Sequence, residues 1–71
     1  MIPYKSRSGK KSGVTAYSIG NDFIVVQFKD SEAYKYTYNS AGRSTIERMK
    51  SHAINQLGLS TFIAQNKPNF E

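Results

Sequence analysis

Tyr34, Tyr36 and Tyr38 alternate with Lys35 and Thr37 directly after an apolar run over residues 23–28, and from Ser44 onward the apolar positions recur every three or four residues. The first period belongs to β-strands and the second to helices. A first strand is predicted over residues 14–19, followed by Gly20-Asn21-Asp22, a turn sequence that tolerates positive φ in a hairpin. A second covers 23–29, rich in β-branched and aromatic residues. Asp30-Ser31-Glu32 reads as the next turn and 33–38 as the third strand. Connections this short imply an antiparallel meander. Asn39-Ser40-Ala41-Gly42 then interrupts the pattern. Ser44-Thr45-Ile46-Glu47 has the S-x-x-E form of a capping box, which predicts a helix over 45–57. Ile46, Met49, Ala53 and Leu57 share its apolar arc, while Arg48, Ser51 and Asn55 lie opposite. Gly58 is placed to end it in the left-handed conformation. Leu59, Phe62 and Ile63 have the spacing of a short second helix, over 60–66, which Lys67-Pro68 stops. The expected fold class is α+β, a three-stranded antiparallel meander packed on one long and one short helix.

The alternation also divides the sheet into two faces. Ile24, Val26 and Phe28 share one face of the second strand; Tyr34, Tyr36 and Tyr38 share one face of the third. Pairing these more apolar sets turns the tyrosines inward beneath the helices, with their hydroxyls at the rim. Two helices cover only one side, so Phe23, Val25, Gln27, Lys29, Lys35 and Thr37 form an open face. The opposite parity would instead make the tyrosines a platform on which bases stack.

Seventy-one residues make one domain at most, near the lower limit for a self-sufficient apolar core. Residues 14–67 are its expected extent, with 1–13 an arm and 68–71 a tail. The net charge of +5 is concentrated in the arm: Lys5, Arg7, Lys10 and Lys11 face no acid before residue 14, and residues 14–71 carry only +1. Residues 5–13 hold no apolar side chain and cannot offset the cost of ordering, so the expectation is a flexible basic arm. Met1-Ile2-Pro3-Tyr4 could dock on an apolar patch, where Pro3 limits the stretch to an edge. No apolar run approaches the length of a membrane span. No apolar segment follows the N-terminal basic residues as in a secretory signal. The sequence has no cysteine. The expected location is the cytoplasm.

Little in the chain suggests catalysis. His52 is the single histidine, with no acid three or four residues away and too few companions for a metal site. Asp22, Asp30 and Glu32 fall in turns, Glu47 in the expected cap, and Glu71 in the tail. None is placed to share a cleft as paired catalytic carboxylates must. Ser8 to Gly13 resembles a phosphate loop only loosely, without its glycine spacing or a preceding strand. Lys50 falls near the apolar arc and is expected to lay its stem over Ile46 and Ile54. No cofactor, metal or membrane partner is implied.

Several short motifs recur in one known family. Ser12-x-Val14, Ile19-Gly20-x-Asp22, Val26-x-Phe28, the Y-x-Y of Tyr34-Lys35-Tyr36, and Gly58 followed by Phe62 and Ile63 together resemble the KTSC domain. This is a small bacterial module found at the C-terminus of some lysyl-tRNA synthetases and as a stand-alone protein. The resemblance runs from Ser12 to about Ile63. It implies an antiparallel sheet with C-terminal helices, and it brings the family's suggested RNA binding. The chain departs from the family twice: Asn39-Ser40-Ala41-Gly42 replaces a usual Val-Pro, and Ala64 stands where arginine is common, which removes one candidate phosphate contact.

The functional expectation is a small non-catalytic binding module. One partner class is RNA or another single-stranded nucleic acid, contacted by Lys5, Arg7, Lys10 and Lys11 of the arm and by Lys29 and Lys35 of the body. The alternative is an interaction with another protein or with a second copy, through Phe23 and Val25 of the open face or through the edge strands.

Overall fold

The computed structural model describes residues 1–5, 13–29 and 32–71. Its sheet has four antiparallel strands in sequential order: β1 (Ile2–Pro3), β2 (Val14–Ile19), β3 (Phe23–Phe28) and β4 (Ala33–Thr37). Three helices follow, α1 (Tyr38–Ala41), α2 (Arg43–Asn55) and α3 (Leu59–Asn66). The α+β class and the antiparallel sheet match the periodicity; the strand count does not. The expected meander starts at residue 14, whereas Ile2 and Pro3 pair with Tyr17 and Ala16. Proline lacks an N–H but is tolerated in an edge strand. Tyr4 extends the contact by donating its N–H to the Thr15 carbonyl at 2.9 Å. Residues 6–12, which include Arg7, Lys10 and Lys11 of the expected arm, lie outside the described residues.

The core is one cluster on the helix side of the sheet. It joins Tyr4, Val14, Tyr17, Ile24, Val26 and Tyr36 to Ile46, Met49, Ala53 and Leu59. Each fully buried aliphatic side chain contributes about 1.5–3 kcal/mol relative to exposure. The inward parity of β3 and β4 is the expected one, because Ile24 opposes Tyr36 and Val26 opposes Tyr34. In β2, strict alternation would send Val14 and Tyr17 to opposite faces. A register shift between Val14 and Ala16 inserts one residue there, and this bulge returns both side chains to the core.

Between β2 and β3 the Gly20 N–H bonds the Phe23 carbonyl at 3.0 Å. None of Gly20, Asn21 and Asp22 has a positive φ, so the turn does not use the backbone freedom those residues offer. Gly20 is needed for space instead, since a Cβ there would collide with the Phe23 ring. Of the next expected turn, Asp30 and Ser31 lie outside the described residues.

The helices depart from expectation at their ends. Tyr38, expected to close the third strand, opens α1, although its N–H still bonds the Asp22 carbonyl at 3.0 Å. The capping box forms at Thr37, not Ser44. Thr37 Oγ1 accepts from the Ser40 N–H at 3.0 Å, and Ser40 Oγ accepts from the Thr37 N–H at 2.9 Å. A serine thus fills the place usually held by Glu or Gln. Gly42, at φ 91° and ψ 144°, is a joint between α1 and α2 that only glycine adopts readily. The second helix therefore starts at Arg43, which leaves Ser44 inside its first turn and unable to cap.

At the other end, Gln56 takes the left-handed conformation and stops α2, before Gly58 can. Leu57 then leaves the apolar arc and is 51% exposed, while Ile46, Met49 and Ala53 are sealed. Gly58 is left-handed as anticipated, but it introduces α3. The junction is held from two sides. His52 Nδ1 lies 2.9 Å from the Leu57 carbonyl, so that nitrogen carries the proton. The buried Tyr4 hydroxyl accepts from the Leu59 N–H at 3.2 Å, so the N-terminal strand caps the last helix.

Candidate binding surface on the open sheet face

With all three helices on one side, the outward residues of the sheet form a face of their own. Register places Ser18, Val25 and Lys35 in one row and Ala16, Gln27 and Ala33 in the next. Phe23 closes the array opposite Thr37. The small side chains of Ala16, Ser18 and Ala33 keep the face shallow. Val25 and Gln27 are half-buried within it, and Lys35 is exposed.

Phe23 is the aromatic of this face. Its ring lies over the Gly20 backbone, and Lys35 Nζ stands 4.8 Å from the ring centroid. A lysine over an aromatic face is held by the ring quadrupole, weakly when exposed to water. Lys29 is exposed just beyond β3, where its N–H bonds the Gly13 carbonyl at 2.8 Å. Lys5 is also exposed. Thr37, expected on the open face, is only 7% exposed because its side chain is used to cap α1. The open face therefore brings together Phe23, Val25 and Lys35 of the candidate residues, with Lys29 at its margin.

The Y-x-Y tyrosines are elsewhere. Tyr36 is 4% exposed in the core, and burial, followed by the neighbouring Tyr34, pushes its phenol pKa above the usual value. Tyr34 is half-buried, its ring 5.6 Å from Phe28 and 4.7 Å from Phe70. Both sit on the helix side, so neither offers a stacking platform on the open face.

Ile54 is exposed, whereas Lys50 is half-buried. Lys50 reaches the Asn21 carbonyl at 2.8 Å and Glu47 Oε2 at 2.9 Å, pinning α2 to the β2–β3 turn. Tyr38 donates its hydroxyl to the same carboxylate oxygen at 2.8 Å. The Lys50 and Tyr38 hydrogen bonds hold Glu47 below the usual carboxylate pKa range. This fully hydrogen-bonded cluster has the character of a fastening: its acid is ionised and its lysine is engaged. His52 packs its ring 5.0 Å from Phe62 and serves the helix junction. Among the described residues, no group of three or more His, Cys, Asp and Glu could hold a metal ion. No helix among them is long and apolar enough to cross a membrane. The sequence marked Ile2–Tyr4 only as a stretch able to dock at an edge, and it offered no signal for the Thr37 cap or the Tyr38–Glu47–Lys50 cluster beyond residue types common in turns and helices.

No family model, curated protein or solved structure matches the chain.

Proposed function

We propose that the chain is a cytoplasmic, non-catalytic binding module that takes single-stranded nucleic acid, RNA foremost, on its open sheet face. The observation that carries this reading is Phe23 beneath Lys35 on the face the helices leave uncovered. A base can replace the lysine on the ring, and the displaced ammonium is then beside the phosphate of the same nucleotide. Base–aromatic stacking is sequence-tolerant and contributes about 1–3 kcal/mol per base. Lys29 and Lys5 extend the positive margin, and Arg7, Lys10 and Lys11 supply further cations along the chain. The resemblance to KTSC domains, with their suggested RNA binding, agrees with this assignment.

The test is a titration of fluorescein-labelled oligouridine RNA at two salt concentrations, with amide shifts mapped in parallel. Affinity should fall with salt at a log–log slope of about −0.7 for each phosphate neutralised. Phe23→Ala should weaken binding roughly tenfold, and the shifts should centre on Ser18, Val25 and Lys35. Salt-insensitive binding, or shifts confined to the helix side, would overturn the assignment. A Val25-dependent dimer in sedimentation, without RNA binding, would transfer this face to self-association.

A further inference from the structure

The two edges of the sheet are treated differently. β1 covers the edge of β2. The outer edge of β4 is met by residues 67–71, which turn back from α3 at Lys67, a residue in the left-handed conformation at φ 45° that lysine adopts at a cost. Ser40 Oγ donates to the Asn69 carbonyl at 2.9 Å, and the Glu71 N–H bonds the Lys35 carbonyl at 2.8 Å. The segment thus runs antiparallel to β4. Phe70 lays its ring 4.7 Å from Tyr34 and 6.1 Å from Tyr36, yet it is 54% exposed.

This covering is incomplete in two respects. Tyr38 bonds Asp22 across the ladder, and hydrogen-bonded pairs alternate along an antiparallel ladder. Tyr36 and Tyr34 therefore face β3, while the backbone groups of Lys35 and Ala33 point outward. Among these, the Lys35 N–H and both polar groups of Ala33 have no partner among the described residues. Beside the segment there is also a solvent-open groove of about 520 Å³, lined by Tyr36, Ile63, Lys67, Pro68, Asn69 and Phe70. The Tyr36 hydroxyl makes no hydrogen bond to the described residues, and it is not sealed from solvent.

We propose that the β4 edge is a peptide-binding site. Its ligand is an extended segment of a partner protein that adds antiparallel to Lys35 and Ala33 and inserts an aromatic side chain against Tyr34 and Tyr36. Residues 69–71 are a tethered stand-in for that ligand. They display the chemistry the edge accepts, an aromatic flanked by one backbone bond to Lys35 and one bond from the Ser40 side chain, and they leave unused the Ala33 groups, the Lys35 N–H and the space above Tyr36. Strand addition supplies affinity through the main chain and selectivity through the side-chain pocket. The tethered segment competes at an effective concentration in the millimolar range, so the partner binds only by displacing it.

The probe is the blocked hexapeptide Asn-Lys-Pro-Asn-Phe-Glu, titrated into the isotopically labelled full-length chain. Phe70→Ala weakens the tethered competitor without touching the core, since the ring is half in solvent. This variant should bind the hexapeptide at roughly tenfold lower concentration than the parent. Its Ala33 and Lys35 amides should shift and become protected from exchange. The same peptide with alanine for phenylalanine should not bind. Ala33→Pro, placed at the first residue of β4 where proline is tolerated, removes an outward N–H and should reduce binding while leaving the melting temperature near that of the parent. Absence of hexapeptide binding to Phe70→Ala, or shifts on Ser18 and Val25 instead, would overturn the proposal. Dimerisation of Phe70→Ala without peptide would overturn it too, by making a second copy the occupant of this edge.

Discussion

Tyr36 gives the most direct test of how this small sheet is held. Its side chain is 4% exposed and lies opposite Ile24. A buried aromatic covers about 150–250 Å², and truncating one to alanine costs about 3–5 kcal/mol. The low end applies here. Space already exists beside the ring, and Phe70 can move over the gap, so the new void is partly relieved. We therefore expect Tyr36→Ala to cost about 3 kcal/mol, from a total stability of roughly 4–11 kcal/mol for a chain of this size. The melting temperature should fall by about 12–24 °C. Tyr36→Phe should change stability by less than about 0.5 kcal/mol, because the hydroxyl it removes makes no hydrogen bond to the described residues. Urea titrations of the three proteins measure both differences. If Tyr36→Ala melts within a few degrees of the parent, the residue is not part of the core. If Tyr36→Phe loses as much as Tyr36→Ala, the hydroxyl and not the ring is what matters.

The same phenol links stability to alkaline pH: its pKa is raised on folding, so the folded state holds the proton more tightly, and stability is retained up to the ordinary tyrosine pKa near about 10 and lost above it. The loss should be shallower in Tyr36→Phe, as thermal melts across that pH range would show. Glu47 has the opposite sign: its pKa is lowered on folding, so its contribution is present above the ordinary glutamate pKa near about 4.3 and lost as pH falls further. Tyr38→Phe removes one of the bonds responsible and should flatten the acid limb of the same melts. Tyr4→Phe leaves the buried Leu59 N–H without its acceptor and should cost about 1–3 kcal/mol by urea titration, whereas an unchanged midpoint would mean β1 does not cap α3. Lys35→Ala should weaken RNA binding while leaving hexapeptide binding to the Phe70→Ala background unchanged, since the edge uses only the backbone of residue 35.

The sheet was legible in the sequence wherever one physical rule acted alone. Alternation within 23–28 and 33–36 fixed which side chains face inward, and the open face followed from having too few helices to cover both sides. The misreadings occur where two rules compete. Val14 and Tyr17 are three residues apart, and only a bulge reconciles them; no composition signal marks where a bulge falls. At Ser44 a good capping sequence loses to Gly42, whose conformation starts the helix two residues earlier than expected. At Gln56 a residue with a Cβ takes the left-handed position one turn's fraction before the glycine that suits it better. Ile2 to Tyr4 join the fold through partners distant in sequence, Tyr17 and Leu59, which a local pattern cannot supply. Of the candidate site, Phe23, Val25 and Lys35 were found by parity alone, and the edge at Ala33 and Lys35 required the ladder to be seen.

Lys35 shows how a domain this small has room for the two proposed binding surfaces. In a strand the side chains project perpendicular to the sheet, while the backbone N–H and C=O groups lie in its plane. A residue on an outer strand therefore has two independent directions of contact. Lys35 extends its ammonium over Phe23 on the open face, and its carbonyl accepts from Glu71 at the edge. Tyr34 and Tyr36, the neighbours on either side, point the other way, into the core and toward Phe70. β4 thus faces β3 on one edge, the core on one side, the proposed nucleic-acid face on the other and the proposed peptide edge outward. Charge keeps the last two distinct: the face carries Lys35 with Lys29 at its margin, whereas the edge offers neutral backbone groups and aromatic rings. On the proposed reading a polyanion would select the first, and an extended segment with an aromatic side chain the second. Because the hydrogen bonds of the edge are made by the backbone, the side chain of residue 35 is free to serve the face.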